Sequence, residues 1–146
     1  MATIHIKCAE EIVKSADDRG KEFSKTVKTH QLRNFYAGVT QIRQDWKNKD
    51  KGKGATPGTI SSSLVMLKPK LAYAAGRQLS VRSFFEFVSK EIDETRNMIK
   101  VLGEQLDSAD EQDQQDIKAK QAQVIENFFA LIEGVVAYHK FYGGQD

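Results

Sequence analysis

Starting at Leu32, apolar side chains recur at the spacing of a single helical face. Phe35, Tyr36, Val39, Ile42 and Trp46 follow at +3, +4, +7, +10 and +14. A stripe with this period must be buried along one side of a helix, and that constrains the fold more than any other feature of the chain. The period returns in Val81, Phe84, Phe85, Val88, Ile92, Ile99 and Leu102, which predict a helix from a Ser80 cap to about Gln105. No segment sustains the two-residue alternation and β-branched enrichment of a half-buried strand. The pattern therefore predicts an all-α protein, a bundle of about five helices, forming a single helical domain over residues 1–146. At this length a hydrophobic core forms without a metal or disulfide staple.

The remaining helices are read from caps and breakers. A first helix is expected from about His5 to Asp18, with Ala9, Ile12 and Val13 inward and Gly20 ending it. Thr29 is a suitable N-cap for the second. Lys47 to Gly58 holds four lysines, three glycines and Pro57, with no large apolar group, and reads as a mobile basic loop. Ser108 and Glu111 match a capping box opening a last helix that Gly143-Gly144 ends. The first half of that helix is polar, with Asp113, Gln114, Gln115, Asp116, Gln121 and Gln123. From Val124 to Val136 it is apolar almost all round. Such a helix is buried from several sides, either in its own chain or as an exchanged or intermolecularly packed C-terminal helix.

Charge is uneven. Residues 1–90 carry 17 Lys and Arg against 8 Asp and Glu, whereas residues 91–146 carry 5 against 12. The net +2 thus conceals a basic part and an acidic part, which suits an anionic partner or head-to-tail self-association. Cys8 is the only cysteine, so no intrachain disulfide can form and a reducing cytoplasm is the expected compartment. The N-terminus lacks the apolar core of a secretory signal, and no run approaches a membrane span. His5, His30 and His139 fall in separate segments without carboxylate or cysteine at metal spacing. With no nucleophile elbow, zinc-protease motif or nucleotide fingerprint, nothing argues for an enzyme, a metal or a cofactor. Two classes remain: a helical module that binds nucleic acid through a basic face, and a helical protein–protein adaptor without nucleic-acid binding.

Apolar, basic and aromatic residues fall into register in Leu67-Lys68-Pro69-Lys70-Leu71-Ala72-Tyr73-Ala74-Ala75-Gly76-Arg77. Ile60, Leu64, Leu67, Leu71, Ala74 and Ala75 form one arc, and Lys70, Tyr73 and Arg77 share its flank at i, i+3 and i+7. The commonest role for such a segment is a core helix with its charges in solvent and the tyrosine packed. Pro69 within a helix would cost ~3 kcal/mol, so a kink or a new helix start is expected there.

This stretch, together with Thr29-His30-Gln31-Leu32-Arg33-Asn34-Phe35-Tyr36, closely resembles the small-subunit family of type III-A CRISPR effector complexes, the Csm complexes. The two motifs cover about an eighth of the chain, in the family's order and spacing. The resemblance implies a non-catalytic subunit. Several copies would stack as an inner filament beside the backbone and large subunits, lining the channel where guide RNA pairs with target RNA. Arg33, Lys68, Lys70 and Arg77 stand inside the matching motifs and are the RNA-binding residues it implies. Arg43, Lys47, Lys49, Lys51, Lys53 and Arg82 are added as candidates from charge alone. Recognition would go through backbone and shape, because guide pairing already reads the sequence.

Overall fold

A computed structural model describes residues 4–49 and 54–145. The described residues form six α-helices and no strand: α1 (Ala9–Phe23), α2 (Thr29–Lys47), α3 (Pro57–Val65), α4 (Lys68–Arg77), α5 (Arg82–Leu106) and α6 (Glu111–Phe141). A 3-10 turn, Leu79–Val81, joins α4 to α5. The sixth helix arises because the central stretch is two helices. Thr56 caps α3 by accepting the Thr59 N–H at 3.2 Å, with Pro57 just inside. The chain then breaks at Met66–Leu67, and Pro69 occupies the first turn of α4. A proline there removes an N–H that has no helical acceptor in any case. Pro69→Ala should therefore lower stability by less than ~1 kcal/mol, through unfolded-state entropy alone. Urea titration checks this, and a gain approaching ~3 kcal/mol would mean the ring strains a helix interior.

The core is built around α6. It pairs with α5 across the short turn at 107–110, while α1 and α2 lie along its C-terminal half and α3 approaches it from α5. Phe128, Phe129, Leu131, Ile132 and Val135 are all buried against these neighbours. The large apolar side chains expected to need an exchanged or second-chain helix are thus covered within the chain, with Val136 half-buried and the small Ala130 exposed. Among aromatic side chains, Phe84 of α5 meets Phe23 of α1 at 5.2 Å and Phe35 of α2 at 5.4 Å, both edge-to-face. Gln121, expected on a polar face, is buried, and its Nε2 donates to Ile99 O at 3.1 Å.

Several expected boundaries and faces move. Residues 4–8 are not helical; Lys7 pairs with Glu91 at 3.1 Å and its carbonyl accepts from Asn127 at 3.0 Å. At the start of α1, the His5 ring lies 2.8 Å from Glu11 and the Cys8 N–H reaches the same carboxylate, holding the Glu11 carboxyl down at about 2. Gly20 does not end α1 but lies buried within it, and the inward face is Ile12, Ala16, Gly20 and Phe23, with Val13 exposed. Phe87 replaces Phe85 on the buried face of α5, and Ser80 sits in the 3-10 turn without capping it. Asp110, not Ser108, caps α6 by accepting the Asp113 N–H at 2.8 Å. Gly143, at φ +86, ends α6. Gly143 N–H donates to Lys140 O and Gly144 N–H to His139 O, a Schellman arrangement. The tail then continues to α2, where the Thr29 N–H donates to Gln145 O at 3.0 Å. Thr29 is thus the first residue of α2 rather than its cap.

Candidate nucleic-acid interface

On α4, Leu71 and Ala75 are buried against the bundle, and Ala74 is half-buried. That orientation turns Lys70, Tyr73 and Arg77 outward together. Tyr73 is 69% exposed rather than packed, and the Arg77 guanidinium sits 5.7 Å from its ring centroid. Such a stack holds the charge over the ring and restricts both side chains. Neither Lys70 nor Arg77 forms an ion pair among the described residues.

Lys68, on the opposite flank of α4, is engaged: its ammonium lies 2.6 Å from Asp93 of α5. Arg43 is engaged as well, 2.8 Å from Glu133 of α6. That hydrogen bond raises the guanidinium's affinity for its proton further, while the Arg43 Nε is buried without a partner. Lys49 lies 4.3 Å above the Trp46 ring and bonds the Trp46 carbonyl at 3.4 Å. Lys47 is exposed in the last turn of α2, and Arg82 is exposed at the start of α5. Lys51 and Lys53, with Asp50 and Gly52 of the loop expected to be mobile, lie outside the described residues.

Arg33 does not join Lys70 and Arg77. Counting 100° per residue, it lies about 140° around α2 from Gly38, which faces α4. Arg33 instead lines a separate groove between α2 and α6, beside Lys140 and the 75% exposed Phe141. Sequence reading missed this second basic and aromatic pairing, because Lys140 and Phe141 meet Arg33 only through the packing of α6 on α2.

Between α2 and α4 lies an open cavity of about 230 Å³. Its floor is Phe35, Leu67, Leu71, Val81 and Phe84, and Gln31, Asn34, Lys70 and Tyr73 form the rim. The Gln31 amide donates to Gln78 at 2.6 Å and so ties the start of α2 to the end of α4. No cluster of three metal-binding side chains occurs among the described residues, and no described helix is long and apolar enough to cross a membrane.

The two segments that form this surface, the first turns of α2 and the whole of α4, are those that carried the resemblance. A family model described as Csm2 Type III-A matches residues 7–108, from the N-terminal strap to the turn before α6. The chain belongs to that family. It is therefore a small subunit of a type III-A CRISPR effector complex, working with other Csm subunits. No curated protein and no solved structure matches the chain. In this member of the Csm2 family, the Lys-Pro-Lys-Leu-Ala-Tyr-Ala motif is α4 itself, with one lysine tied to α5 and the other facing out.

Proposed function

We propose that this Csm2-family subunit contacts guide and target RNA phosphates through the outer flank of α4, using Lys70 and Arg77. The observation that carries the reading is the pair itself: two exposed cations with no carboxylate partner among the described residues, on one flank, either side of an exposed tyrosine. Copies stack in the inner filament of the cytoplasmic complex, beside the backbone and large subunits, and target cleavage belongs to the backbone subunit. The charge asymmetry supports head-to-tail stacking. The rival adaptor reading drew on the apolar half of α6, and that surface is covered inside the chain.

The test is retention of labelled target RNA by the assembled complex over a salt series. Removing one phosphate-binding cation from a single-stranded RNA site lowers the slope of log affinity against log salt by ~0.7. Lys70→Ala with Arg77→Ala should flatten it by about 1.4, equally for targets of different sequence. Adding Arg33→Ala should take the change to about 2 if the α2–α6 groove also meets RNA. A folded, assembled double variant with wild-type affinity and slope would overturn the proposal.

A further inference from the structure

We propose that the groove between α2 and α4 receives one unstacked nucleobase of the bound RNA. This rests on the phosphate reading of α4 and extends it. At about 230 Å³ the cavity is below the ~300–1,000 Å³ typical of drug-sized ligand sites, which suits one planar ring system rather than a peptide segment. Its floor is apolar, while Gly38 and Ala74 keep its sides low enough for a flat ring to enter. At the rim, the exposed Asn34 makes no hydrogen bond among the described residues. Its amide offers a donor and an acceptor to a base edge.

Charge selects the occupant. Lys70 lines the mouth, Arg77 lies seven residues further on the same flank, and no carboxylate among the described residues lines the cavity. A nucleotide entering base first leaves its phosphate at Lys70 and its ring beside Tyr73. An apolar side chain from a neighbouring subunit would cover the same floor but leave the Lys70 ammonium and the Asn34 amide facing it unpaired, which is costly. Because every base has a π-face, the site is expected to accept any of them.

The experiment is an abasic walk: single abasic nucleotides at successive positions of the target RNA, measured on the assembled complex. Affinity should fall about tenfold further at positions whose base fills the groove than at positions where only a guide pair is lost, within the range of one aromatic stacking contact, and a walk without that extra fall counts as flat. Two variants test the assignment. Ala74→Phe fills the groove, and Tyr73→Ala removes the exposed ring. Each should bind intact RNA about tenfold more weakly, lose the abasic discrimination and keep the wild-type salt slope. Should Ala74→Phe fail to fold, Tyr73→Ala decides, since that side chain is largely exposed. A flat walk, with the slope still flattened by Lys70→Ala and Arg77→Ala, overturns the base site and leaves the phosphate reading standing. A flat walk with no slope change overturns both. A flat walk in which Ala74→Phe sheds a neighbouring subunit makes the groove a protein dock and overturns the proposal.

Discussion

Phe84→Ala should destabilise the protein by roughly 3–5 kcal/mol, the range for truncating a fully buried aromatic. Phe84 is 2% exposed and stands where three helices meet. It touches Phe23 of α1 and Phe35 of α2 with rings 5.2 and 5.4 Å from its own. The loss combines the transfer free energy of the ring, the void it leaves and two edge-to-face contacts worth ~0.5–1.5 kcal/mol each. Against a typical domain stability of ~5–15 kcal/mol, this is a large share. Urea unfolding followed by circular dichroism should show the midpoint fall with little change in slope. Phe141→Ala, at a 75% exposed ring, serves as control and should stay within ~0.5 kcal/mol. If the two variants lose equally little, the aromatic junction is not where the fold is held.

Gly20→Ala should also destabilise, although helix propensity alone argues the opposite. Alanine gains up to ~1 kcal/mol over glycine in a helix interior. At Gly20, however, a Cβ would fall 2.4 Å from Tyr138 Cβ and 2.9 Å from the His139 nitrogen, neither of them the end of a flexible side chain. Forcing α1 off α6 should cost ~1–3 kcal/mol or more and outweigh the propensity gain. Gly134 mirrors it, since a Cβ there would meet Ala16 Cβ at 2.7 Å. Gly134→Ala should therefore be rescued in part by Ala16→Gly, as a coupled pair in a double-mutant cycle. Gly76 of α4 has nothing within 4 Å of its would-be Cβ, so Gly76→Ala should stabilise by ~0.5–1 kcal/mol. A stabilised Gly20→Ala would show that the two helices do not cross so closely.

Helix class, the stripe of α2 and the break near Pro69 were legible in the sequence because they depend on local rules. Hydrophobic period, proline's missing N–H and the Gly143 terminator act within a turn or two of chain. The family, too, was legible, since its motifs are contiguous segments. The stretch Lys70-Leu71-Ala72-Tyr73-Ala74-Ala75-Gly76-Arg77 by itself set Lys70, Tyr73 and Arg77 on a common flank. Tertiary packing decided the rest. Gly20 is a helix breaker by composition, yet α6 presses against it and the helix passes through. Gln121 is polar by type and buried because an Ile99 carbonyl is there to receive it. Lys68 and Lys70 are equal in sequence, but Asp93 reaches only Lys68, and Arg33 was turned away from Lys70 by the way α2 lies between α4 and α6. Periodicity ranks residues around their own helix axis. Which neighbour, carboxylate or groove each face then meets depends on contacts between segments far apart in the chain, and those only the assembled fold supplies.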